Sequence, residues 1–330
     1  MRVGGVVAGA ILAAAIIGRL CWGQTSQIGA AQRGMAGRVE AQESESGQIA
    51  VWDVYGEFVI RGPKVHQASV AAMLRTGIKA VTGESDPNAA WRRLLRPDDV
   101  VALKFTEVGG GLGTGKDLAT ALLHSLYQAG FQPGQIMIVG LEDLPEEAAG
   151  TLPCPYGWQQ ELADFGTDRD YLALWLEQVT AIVNVASVLD DNVIGLRGAL
   201  ANLTLPLVKR PARLYVNGGD PFVADVYALP EVRGKVRLHI LSALRILGYG
   251  GPRVQERYVV EYGALLFSED PVALDQVALH LVRLARRLAP LPESAGDEVQ
   301  APYLETAQAL GLGCNDLNRV AYHRCKHERW

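Results

Sequence analysis

From residue 49 onward, short apolar runs alternate with helix-spaced apolar positions. That pattern fits a largely parallel sheet covered by helices on both faces. Residues 100–105 form a run apolar enough for a central strand buried on both sides. Leu118, Ala121, Leu122, Leu126 and Ala129 then recur at helical spacing, which predicts a helix over 117–129 closed by Gly130. Residues 136–139 form the next strand. Residues 171–178 read as a helix leading into a strand over 181–185. A late strand over 264–267 runs into a helix over 271–288, with Asp270 as N-cap and Pro271 in its first position. Residues 289–302 are rich in proline, glycine and acids and form a surface loop before a final short helix. There is no internal repeat, so the expectation is one α/β domain over 49–330.

Ahead of that domain the pattern changes. Residues 3–17 are an unbroken apolar and small-residue run behind Arg2. As a helix the run spans roughly 22 Å, short of the ~30 Å hydrocarbon thickness of a membrane. Extending it to Trp22 would bury Arg19 at a cost of a few kcal/mol. Residues 1–23 therefore read as a secretory signal, with an uncleaved anchor as the alternative. Residues 24–48 are polar, without periodicity, and read as a linker. The implied location is exported, periplasmic or extracytoplasmic, with the membrane touched only through the N-terminal segment.

The chain has 330 residues, 49% of them hydrophobic, and a formal net charge of −5. That balance argues against a nucleic-acid partner. Four cysteines without CxxC spacing are too few for this chain alone to hold an iron–sulfur cluster. No other cofactor is named by the residues.

The sequence from Gly110 through Gly115 and Lys116 to Asp117 almost spells a phosphate-cradling loop. Asp117 stands where a Mg²⁺-binding hydroxyl belongs, and its carboxylate would repel phosphates. A glycine-rich loop with Asp117 at the helix start is the plainer reading.

Lys104 lies at the C-terminal end of the central strand, where open parallel sheets place ligands. A buried lysine must be paired or deprotonated. It is a binding candidate, or the partner of Asp270 or Asp275 in a salt bridge. Asp270 caps its helix or binds a ligand, and Asp275 lies one turn further on. The loop holding Gly250 and Gly251 could present backbone N–H groups to an anion, or serve as a turn. Near the C-terminus, Cys314, His323, Cys325 and His327 match no standard zinc spacing. His323, Cys325 and His327 alternate as on one face of a strand. A Cys314–Cys325 disulfide is the simpler use in an oxidising compartment. His66, His124, His239 and His280 are scattered, without triad-like context.

Five segments in order resemble the prokaryotic domain-of-unknown-function family "three-six-two", whose members are labelled uncharacterised iron–sulfur-centre proteins. They are residues 91–104 (WRRLLRPDDVVALK), 181–203, 231–252 ending in Gly250-Gly251-Pro252, 268–275 (SEDPVALD) and Gly311-Leu312-Gly313. The resemblance implies a ligand site that includes Asn192 and Asn202 beside Lys104. Departures stand at Thr106, Leu189, Asp191, Ala201 and Ser242, where the family carries an amide, a lysine, a histidine, a lysine and an aspartate. It implies an exported binding or accessory protein linked to redox or cofactor handling, with part of its polar site lost. The alternatives are an enzyme using Lys104 with Asp270 or Asp275, and nucleotide binding through the glycine-rich loop.

Overall fold

The computed structural model describes residues 48–106, 112, 114–293, 295–296 and 298–327. The signal-like segment, the linker through residue 47, and Gly110 lie outside the described residues.

The chain enters on β1 (Ile49–Tyr55) and a small hairpin of β2 (Ile60–Arg61) and β3 (Lys64–Val65). Two helices follow, α1 (Gln67–Thr82) and α2 (Pro87–Leu94), and then β4 (Val101–Phe105), α3 (Gly115–Gln128) and β5 (Ile136–Val139). A second hairpin, β6 (Trp158–Asp164) and β7 (Arg169–Ala173), leads through α4 (Trp175–Gln178) into β8 (Ala181–Asp191). Next come β9 (Gly195–Arg197), α5 (Ala199–Thr204), α6 (Phe222–Ala228) and α7 (Pro230–Arg233). The chain finishes with β10 (Val236–Leu247), β11 (Val259–Ser268), α8 (Pro271–Leu288), α9 (Tyr303–Ala309) and β12 (Val320–Lys326).

The main sheet has the order β12-β1-β11-β10-β8-β4-β5, with β9 appended to β8. Along that path only β11 runs against its neighbours. The pairs β12–β1, β10–β8, β8–β4 and β4–β5 are all parallel. The largely parallel α/β sheet expected from the sequence is the observed fold, with β11 as the antiparallel strand.

Strand alternation assigns the two faces. Val101, Leu103 and Phe105 of β4 join α1, α2 and α3 in one apolar core, with Trp91 wholly buried at its centre. Lys104 is turned to the other face, where α8 packs over β8, β10 and β11 and supports α5 and α9. Close approach is built in at Gly77 of α1, where an added Cβ would lie 2.2 Å from the Phe267 ring of β11. Any side chain there would push the helix off the sheet.

One segment departs from expectation. Residues 171–173 belong to β7, because Tyr171 and Ala173 pair with β6 and Leu172 bridges Val208. Only Trp175–Gln178 is helical. Among the described residues, no helix is long and apolar enough to cross a membrane.

Candidate functional site

The sequence candidates fall into separate places rather than one. Lys104, Asn184 and His239 stand side by side on neighbouring strands β4, β8 and β10, all buried on the α8 face. Asn184 Nδ2 donates to the Ala199 carbonyl at 2.7 Å and to His239 Nδ1 at 3.0 Å. An amide nitrogen only donates, so Nδ1 accepts and the neutral ring carries its proton on Nε2. Nε2 then donates to the Tyr227 hydroxyl at 3.0 Å. Burial pushes the His239 pKa down to about 3, so the ring stays neutral throughout the physiological range. Asn202 Nδ2 donates to Asn184 Oδ1 at 2.7 Å and to the Lys104 carbonyl at 3.3 Å. Lys104 Nζ donates to the Phe105 carbonyl. Among the described residues, this row is a connected network in which buried polar groups serve one another.

Asp275 is also wholly buried, but it holds the start of α5. Its oxygens accept from Ala199 N and from Leu200 N, the latter at 3.0 Å. Burial raises its pKa to about 7 against those two amides. Asp270 caps α8 as the sequence suggested, accepting from Val272 N and Ala273 N at 2.9 and 2.8 Å. Its second oxygen accepts from Cys314 N at 3.0 Å. Among the described residues no ion pair joins Lys104 to either carboxylate. Asp270 and Asp275 instead accept backbone N–H groups, and the Lys104 ammonium donates to a backbone carbonyl among its contacts.

Gly250 and Gly251 meet Asn192 at the C-terminal end of β8. Asn192 N donates to the Gly251 carbonyl at 3.1 Å, and Gly251 N to Asp190 Oδ2 at 3.2 Å. A Cβ at Gly251 would lie 1.7 Å from the Asp190 carbonyl oxygen, so only glycine fits. The loop therefore spends its N–H on a protein carboxylate. Asp190 also pairs with Arg286 Nη1 at 2.9 Å, and the guanidinium stacks over Tyr249. Burial lifts the Asp190 pKa to about 6, against the Gly251 amide and Arg286.

The cysteine expectations are corrected. Cys314 and Cys325 are not bonded to each other. Cys314 is anchored beside Asp270 where α8 begins, whereas Cys325 sits opposite Val54 near the other end of β1. His323 and Cys325 alternate along β12 as expected, whereas His327 lies one residue beyond the strand. His323 stacks on Trp52 with centroids 4.3 Å apart. Among the described residues, no group of three or more His, Cys, Asp or Glu side chains is placed to hold a metal ion.

A further polar region takes in the end of the glycine-rich loop, but its hydroxyls and Arg245 belong to no binding motif. β4 leads into α3 on one face, whereas its neighbour β8 leads into α5 on the other. Adjacent parallel strands that diverge in this way open a crevice at their C-terminal ends, where α/β sheets take ligands. Here Ser187 N donates to Thr106 Oγ1 at 2.8 Å, and Thr114 and Ser242 hydroxyls lie 3.3 Å apart. Arg245 closes one side, donating to the Leu112 and Gly62 carbonyls at 3.1 and 2.6 Å, with Glu261 3.8 Å away. Gln67 Nε2 donates to the Asp117 carbonyl at 2.8 Å, while its Oε1 is buried without a partner. Burial raises the Asp117 pKa, and Arg245 opposes that. Gly115 opens α3 beside Leu141. Lys116 turns outward to Asp143 at 2.8 Å, both side chains being half exposed or more. At this switch point hydroxyls and one cation come together, with the unsatisfied Gln67 acceptor tied to the start of α3, and this is the candidate site.

At the opposite edge of the sheet lies an open recess of about 410 Å³, lined by Trp52, Val81, Glu269, Asp270 and Gly313 among others. The Asp270 carboxylate there is already committed to three amides.

No protein-family description matches this chain, and no curated protein is similar to it.

Proposed function

We propose that this chain is a ligand-binding protein that holds a small hydroxylated molecule in the crevice between β4, β8 and β10. The observation that carries this reading is the opposite course of the connections that leave the paired strands β4 and β8, to α3 on one face and α5 on the other, beside Thr106, Thr114, Ser187, Ser242 and Arg245. Hydroxyls and an open amide oxygen suit an uncharged polar ligand that both donates and accepts. One guanidinium facing Asp117 and Glu261 leaves the described rim acidic, which disfavours a polyphosphate. An enzyme built on Lys104 with Asp270 or Asp275 has less support, because the two carboxylates accept the backbone amides of two different helix starts.

The five ordered segments support a divergent member of the "three-six-two" family, and the apolar run at 3–17 supports export ahead of the folded domain. The label borne by that family points to redox or cofactor handling, in which this chain acts as an accessory without its own cluster. Thermal unfolding with a panel of sugars and polyols, and with MgATP as comparator, tests the site. At least one neutral compound should raise the wild-type Tm, and Ser242→Ala should weaken it about tenfold by deleting one buried hydrogen bond. A shift by MgATP alone, unaffected by Ser242→Ala, overturns the reading.

A further inference from the structure

Among the described residues, β12 is the outermost strand of the main sheet on the side of β1. His327 N donates to the Tyr55 carbonyl at 3.1 Å, which sets the phase of the parallel ladder with β1. Ala321, His323, Cys325 and His327 thus turn their backbone groups towards β1. Val320, Tyr322, Arg324 and Lys326 turn theirs away from it. Among the described residues β12 pairs only with β1.

An open edge is ordinarily blocked by proline, a bulge or charge. This seven-residue strand contains neither proline nor glycine, and its register with β1 is unbroken. Its two strong cations are compensated within the chain. Arg324 pairs with the buried Asp53 at 3.0 Å, beside the Tyr262 and Tyr322 hydroxyls on the same carboxylate. Lys326 pairs with Glu57 at 2.6 Å. The edge is therefore close to neutral and does not repel its own copy.

We propose that β12 joins β12 of a second copy, antiparallel about a two-fold axis through His323, to give a homodimer with one continuous sheet. This register uses all seven residues, because His323 is the middle of the strand. It pairs Tyr322 with Arg324 of the other copy and Val320 with Lys326, all positions whose N–H and C=O groups point outward. The two His323 residues meet as a non-hydrogen-bonded pair, the closest kind in an antiparallel ladder. Each ring is already stacked on its own Trp52, so the join continues an aromatic row. An isologous contact of this kind closes at two subunits.

The full-length chain in mild detergent tests this with His323→Cys. Facing cysteines at a non-hydrogen-bonded pair lie within disulfide reach. On mild oxidation this variant should run mainly as a covalent dimer. Wild type, and Phe58→Cys at a position 80% exposed on the β1–β2 turn, should stay monomeric on the same gel. Cross-linking no greater than in those controls overturns the proposal. If His323→Cys does not fold, sedimentation of the wild type decides. A dimer that Lys326→Pro weakens roughly tenfold, by removing an outward N–H at each end, supports it. A wild-type monomer at every concentration contradicts it.

Discussion

The stability difference between wild type and Asp275→Asn should shift by roughly 2.5 kcal/mol between about pH 5 and about pH 8. Asp275 is wholly buried and accepts two backbone N–H groups of α5, with no ion pair among the described residues. Burial lifts its pKa from 3.8 to about 7. A carboxyl whose folded-state pKa is raised favours folding fully below its unfolded pKa, and loses that contribution as pH rises through the folded value. The wild type is thus favoured most in mild acid, while the asparagine carries no such dependence. At about pH 5 the variant should be clearly less stable, since its NH₂ faces one of the two amides. Towards pH 8 the deficit should shrink, because the wild type then bears a buried charge. Urea unfolding of both proteins at several pH values measures this. A constant difference would show that Asp275 is ionised throughout.

Removing Arg286 alone should cost roughly 3–5 kcal/mol at pH 8, because it strands the Asp190 carboxylate at a buried position. Arg286→Met keeps much of the volume while deleting the charge. The loss should be smaller near pH 5, where Asp190, with its pKa near 6 even beside Arg286, is neutral. Adding Asp190→Asn should recover part of the stability at pH 8 but not all of it. Arg286 also donates to the Gly248 and Gly296 carbonyls, and those loops lose their anchor in either variant. Double-mutant unfolding at both pH values gives the coupling. Equal losses at pH 5 and pH 8 would mean that the loop contacts, not the ion pair, carry the effect.

The sequence made the continuous apolar elements legible. β4, β5, α8 and its Asp270 cap needed only periodicity and a helix-start signal. β10 was harder to read, because Arg237, His239, Ser242 and Arg245 interrupt its apolar run. Those residues face different surroundings across a bulge between Ala243 and Arg245, so no simple alternation survives. Tyr171 failed as a helix residue because pairing with β6 outweighed a weak local preference.

The candidate site was the least legible part. Thr106, Thr114, Ser187 and Ser242 come from four segments, and single hydroxyls carry no spacing signal. Thr106 and Ser242 were noted only as departures from the family pattern, yet both line the crevice. Conversely, Lys104, Asn202 and Asp275 were conspicuous in sequence and prove to hold the interior together. Buried polar residues are noticeable for either reason, and only their partners distinguish the two roles.

Crystallographic soaking with a fragment set rich in small polyols tests most directly where this protein binds. The predicted result is density in the crevice against the Ser242 and Thr114 hydroxyls and Gln67 Oε1, lost in Ser242→Ala crystals. Fragments gathered instead in the recess beside Trp52, Glu269 and Gly313, with the crevice bare, would contradict it.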